Sequence, residues 1–66
     1  MKVKVNGDEV SVKDGANLID LLEVLDLKDA KVAIELNHDI VPRSQHTKQL
    51  LQAGDSIEIV HAIGGG

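Results

Sequence analysis

Apolar and polar residues alternate from the first position of the chain. In Met1-Lys2-Val3-Lys4-Val5-Asn6 the valines fall on one face and the lysines on the other, and Glu9 to Lys13 repeats the pattern with Val10 and Val12. A period of two is the mark of a half-buried strand. Asn6-Gly7 lies between the two runs and is a two-residue hairpin signal, because both positions tolerate positive φ. Such a turn sets Lys4 opposite Glu9 on the solvent face, a favourable cross-strand pair. It also gathers all four valines on the buried face.

After a turn at Asp14-Gly15 the period changes. Leu18, Leu21, Leu22 and Leu25 follow the i, i+3, i+4, i+7 spacing of one apolar helical stripe. Asn17 is placed to cap this helix, and Asp20 stands three residues on, where its charge meets the helix N-terminus. Ile19 and Val24 widen the edges of the stripe, which predicts a well-buried helix ending near Asp26. Alternation returns from Lys31 to Leu36, with Val32, Ile34 and Leu36 on one face and Ala33 and Glu35 on the other. Asn37-His38-Asp39 is turn chemistry. Ile40-Val41 is a brief extended piece closed by Pro42, whose missing N–H confines it to an edge or a turn. From Arg43 to Leu51 the pattern is mixed: Ser44 is placed to cap a single helical turn, and Leu50-Leu51 return to the core. Gln52-Ala53-Gly54-Asp55 turns the chain into a last strand, Ser56 to Ile63, and Gly64-Gly65-Gly66 follows it.

The order hairpin, helix, strand, irregular piece, strand defines an α+β class. Layer packing then gives a mixed sheet of four to five strands with one main helix across its apolar face. The last strand, rich in Ile and Val, belongs at the sheet centre, parallel to the first, with the helix crossing behind. That is the β-grasp arrangement, with a body over residues 1–63 and a flexible glycine tail over 64–66.

Composition narrows the function. At 66 residues the chain is one domain near the lower limit for independent folding, too small to enclose a deep catalytic cleft of its own. The net charge of −4, seven scattered Lys and Arg residues and no aromatic side chain disfavour nucleic acid as a partner. With no cysteine, thiol nucleophiles and Cys-ligated metals are excluded. No apolar run approaches membrane-spanning length, and the N-terminus lacks the apolar block of a signal peptide. The expectation is a soluble, cytoplasmic protein, monomeric on its own. His38, His46 and His61 match no metal-ligand spacing, so no metal site is expected. Asp20, Glu23 and Asp26 read as a solvated helix face, or as a surface that meets basic patches on a partner.

Several of these pieces together resemble one family. The hairpin Val3 to Val12, the stretch Val32-Ala33-Ile34-Glu35-Leu36-Asn37, the segment Ile40-Val41-Pro42-Arg43, the Gly54-Asp55 turn and the ending Ile57 to Gly66 resemble the ThiS-type sulfur carrier proteins of thiamin biosynthesis. The resemblance covers essentially the whole chain and implies a ubiquitin-like β-grasp fold. Where the family often carries an aromatic residue near His46 or near Ala62, this chain has none.

The resemblance implies a carrier rather than an enzyme. Gly66 is then the reacting residue. A ThiF-like adenylating enzyme, using ATP and Mg²⁺, converts its carboxylate to an acyl-adenylate, and sulfur derived from a cysteine desulfurase displaces AMP to leave a thiocarboxylate. A ThiG-like thiazole synthase is the acceptor. The carrier itself binds no cofactor. Three extended glycines reach roughly 10 Å, enough to pass a carboxylate down a narrow channel while the body stays outside. Gly64 and Gly65 supply that clearance. The docking face expected around them comprises Arg43, the Ile40-Val41-Pro42 edge, and Val60, Ala62 and Ile63 of the last strand. Ordinary sheet packing competes as a reading of Val60 and Ile63, and a solvated charge as a reading of Arg43. Three other functions stay open: a carrier for molybdopterin or another pathway, a protein modifier forming isopeptide bonds through Gly66, and a non-covalent β-grasp module.

Overall fold

The computed structural model describes residues 1–61. Ala62, Ile63 and the three glycines, and with them the expected boundary after residue 63, lie outside the described residues. The elements are β1 (Lys2–Val5), β2 (Asp8–Ser11), α1 (Leu18–Val24), β3 (Val32–Leu36), β4 (Asp39–Val41), a 3-10 turn (Arg43–Gln45) and β5 (Ser56–His61). The five strands form one sheet in the order β2-β1-β5-β3-β4. β5 runs parallel to β1 and antiparallel to β3, and the two outer pairings are antiparallel hairpins. This is the ubiquitin-like β-grasp arrangement, with the last strand at the centre beside the first.

Both hairpins turn through two residues. Val5 pairs with Asp8 across Asn6 and Gly7, whose φ values are +51° and +88°, and Leu36 pairs with Asp39 across Asn37 and His38, at +51° and +74°. Positive φ at both central positions matches the right-handed twist of the flanking strands, and asparagine tolerates it better than most residues. Lys4 stands opposite Glu9 as the pattern requires, but the ion pair of Glu9 is with the diagonal neighbour Lys2 at 3.3 Å. Both side chains are exposed, so this pair adds little to stability.

Helix α1 starts at a reciprocal capping box. The Asn17 side chain accepts from the Asp20 N–H at 2.8 Å, and the Asp20 carboxylate accepts from the Asn17 N–H at 2.9 Å. Two N–H groups that the helix cannot use are thereby satisfied. At the other end Leu27 N–H reaches the Leu22 carbonyl at 2.7 Å and Asp26 N–H reaches Glu23 at 3.1 Å, the paired bonds of a Schellman motif. Asp26 holds the left-handed position, at φ +59°, where glycine is usual.

The core lies between α1 and one sheet face. Leu18, Leu21 and Leu22 of the helix meet Val3, Val5, Ile34, Val41, Ile57 and Ile59 of the sheet, with Val12, Ala16 and Leu51 closing the ends. Three of the four hairpin valines are buried, and Val10 packs half-buried against the same core. Three expectations fail. Val24 is 57% exposed, because α1 presents a narrower face than its flanking apolar residues suggest. Leu50 points outward while Leu51 is buried: the segment pairs with Asn17 through a single antiparallel bridge, and an extended segment sends neighbouring side chains to opposite sides. Ser44 does not cap the helical turn. It lies inside a 3-10 turn preceded by Pro42, which has no side-chain acceptor to offer.

Candidate functional site

The last described strand leads straight into the residues that the sequence singles out. β5 is held on both sides, and two asparagine side chains complete its ladder. At its start the Ser56 N–H donates to Asn37 Oδ1 at 3.0 Å, and the Asn37 N–H donates to the Ser56 carbonyl at 2.7 Å. Near its end Asn6 acts as a surrogate peptide group. Its Oδ1 accepts from the Ile59 N–H at 2.8 Å, and its Nδ2 donates to the Ile59 carbonyl at 3.0 Å. The β1 backbone turns away at this point, and the carboxamide continues the pairing one step further. Sequence reasoning assigned Asn6 and Asn37 to turns alone. Turn preference hides the second use, because nothing in the local pattern says which distant backbone the side chain faces.

The sheet face opposite α1 is the candidate docking face. Val60 stands opposite Ala33, Glu58 opposite Glu35, and Glu35 opposite Ile40, so these side chains share that face. Val60 is 60% exposed and Ile40 75% exposed. Two apolar side chains left in solvent, on strands flanking β3, fit a partner contact better than internal packing. Arg43 is exposed in the turn after β4, and among the described residues it pairs with no acid. Val41 departs from the expected edge. It is one of the buried residues, packed toward α1, so only its neighbours Ile40 and Pro42 are offered outward. Ala62, Ile63, Gly64, Gly65 and Gly66, the remaining expected site residues, lie outside the described residues.

Glu35 and Glu58 form a like-charge cross-strand pair on this face, Glu35 half-buried, which is mildly destabilising by itself. Beneath the end of β5, on the helix side, Val5, Val10, Leu25, Leu27, Ile59, Asn6, Asp8 and His61 line an open hollow of about 310 Å³. No group of three or more His, Asp or Glu side chains that could hold a metal ion occurs among the described residues. His46 is the one buried polar residue among the described core positions. Its Nε2 lies 3.1 Å from the Val41 carbonyl, which fixes the turn after β4 to the core. The lone histidine on an irregular piece gave no sequence signal of burial.

A central strand fastened by asparagine side chains at Ser56 and Ile59, with an exposed apolar face beside it, defines a ubiquitin-like β-grasp module. Comparison with known proteins makes the assignment particular. The ThiS family model matches residues 3–66, and the chain belongs to that family. It is 35% identical to the sulfur carrier protein ThiS of Escherichia coli over the full length of both chains. It is 41% identical to a segment of a thiazole synthase from Magnetococcus marinus, of which it spans 20% of the length. A crystal structure of the thiamine biosynthesis protein ThiS from Geobacter metallireducens superimposes with a TM-score of 0.85 at 30% identity, each chain covered completely.

Proposed function

We propose that this protein is the sulfur carrier for the thiazole of thiamin, with Gly66 as the residue that carries sulfur. The observation that supports this most is that the family match runs through the glycine run to residue 66, directly beyond a strand whose start and end are both fastened by side chains. A strand held on both sides gives the glycine segment a firm base from which to reach into a partner's active site.

With Gly66 last in the chain, its α-carboxylate is ionised at neutral pH, since such groups titrate near 3.3–3.7. A carboxylate oxygen attacks the α-phosphorus of ATP and pyrophosphate leaves. This turns a poor electrophile into an acyl-adenylate. A persulfide originating at a cysteine desulfurase then attacks the carbonyl carbon and AMP departs, giving an acyl disulfide. A second thiol on the partner cleaves its S–S bond, leaving the thiocarboxylate on Gly66 and a disulfide between the two partner sulfurs. The adenylating enzyme supplies ATP, Mg²⁺ and the acid–base groups, and this chain supplies the electrophile and the docking face. Gly64 and Gly65 keep the approach free of Cβ atoms. Ala62 and Ile63, with Val60, Ile40 and Arg43, form the handle. Thiazole synthase as the acceptor is supported by the thiazole synthases that contain a related segment.

Intact-mass measurement on protein from its native cell tests this. The carrier reading expects a species in which one oxygen is replaced by sulfur, mapped to Gly66. Conjugates to target lysines would instead establish a protein modifier, and neither species would leave a non-covalent module. Deleting Gly66 is expected to abolish the sulfur-bearing form and growth without thiamin, with the urea unfolding midpoint unchanged.

A further inference from the structure

We infer that Asn6 is a site of spontaneous deamidation, and that its conversion unfastens the end of β5. Of the chain's three asparagines, Asn6, Asn17 and Asn37, only Asn6 is followed by glycine. Leu18 and His38 follow the others, and their side chains crowd the backbone nitrogen that must attack. Asn6 is exposed, it sits in a turn, and a Cβ built on Gly7 would meet nothing within 4 Å. Among the described residues the Gly7 N–H makes no turn or loop hydrogen bond to a backbone carbonyl, so no such acceptor holds the attacking nitrogen.

The chemistry needs only water. The Gly7 backbone nitrogen loses its proton and attacks Cγ of Asn6, forming a C–N bond and closing a five-membered imide. The bond from Cγ to Nδ2 breaks and ammonia leaves. Water then opens the ring at one carbonyl or the other, giving aspartate or isoaspartate. No oxidant or reductant takes part.

The fold both guards this step and suffers from it. Cγ carries the two atoms that bond Ile59, at 2.8 Å and 3.0 Å, and ring closure must pull both away. Conversion in the folded protein thus passes through local opening of the hairpin end. Either product lacks the Nδ2–H donor, so the Ile59 carbonyl loses its partner and faces a carboxylate oxygen instead. Isoaspartate also adds a backbone methylene to a turn whose two-residue length sets the β1–β2 register.

The full-length protein is held at pH 8 and 37 °C, folded or in denaturing urea, and peptide mass mapping follows each amide with time. Asn6 is expected to convert before Asn17 and Asn37 in both samples, and roughly tenfold or more slowly when folded, the factor set by breaking the Ile59 bonds. Converted protein, purified by its added negative charge, and the variant Asn6→Asp are both expected to unfold at lower urea than the intact chain. Four outcomes overturn the inference: no conversion at Asn6 in the folded sample, prior conversion elsewhere, equal rates in the two samples, or an unchanged midpoint in both modified forms.

Discussion

Asn6 and Asn37 each serve two masters: a left-handed turn position and the flank of a strand far away in sequence. Asn6→Gly separates the two uses, since glycine accepts φ +51° while removing the carboxamide. Losing both bonds to Ile59 is expected to cost about 1–2 kcal/mol, read as a lower urea midpoint. Asp26 offers the opposite case. It occupies the left-handed C′ position of α1 at φ +59° and makes no ion pair among the described residues. Asp26→Gly is expected to stabilise the protein by about 1 kcal/mol, seen as a raised melting temperature. At this scale the sequence is only partly legible. Residue identity marks asparagine as a turn former, but whether its side chain reaches Ile59 or water depends on a partner more than fifty positions away. The burial of His46 was illegible for the same reason: Val41 supplies its partner only after β4 has folded back.

Elements were easier to read than residues. The valine alternation, the leucine stripe and the Asn17–Asp20 spacing each carry their own local physics, and each reappears in β1, β2 and α1 with shifted ends. The errors fall where two apolar residues adjoin. Leu50 and Leu51 are chemically alike, and only the bridge to Asn17 decides which one is buried. Val24 likewise needed the exact width of the face that the sheet offers. Because α1 is a short helix of seven residues, its cap matters more than it would in a long one. Asn17→Ala is expected to cost about 1 kcal/mol, and Asn17→Ser to recover most of it, both measured by urea unfolding.

The whole molecule divides into a sheet face that packs on α1 to make the fold and an opposite face left to solvent. Ile40 and Val60 are exposed on the sheet face away from α1, so Ile40→Asp and Val60→Asp are expected to move stability by about 0.5 kcal/mol or less. On the proposed function the same changes are expected to weaken binding to an adenylating enzyme by roughly tenfold or more, as titration calorimetry would show. Architecture was legible from element order, since a hairpin, a helix and an Ile-rich last strand leave few ways to cover one apolar face. The open sheet face was legible in outline only, because the register of β3 with both of its partners decides that Ile40 and Val60 share it. That register has a further consequence for how the molecule is made. The last of the described strands to be synthesised is the middle of the sheet, and without it β2-β1 and β3-β4 are two hairpins with no shared ladder. A ribosome that stops before Ser56 releases a chain that cannot close its core and is open to proteases. Only a chain read through β5 has the strand that joins the two hairpins into one sheet.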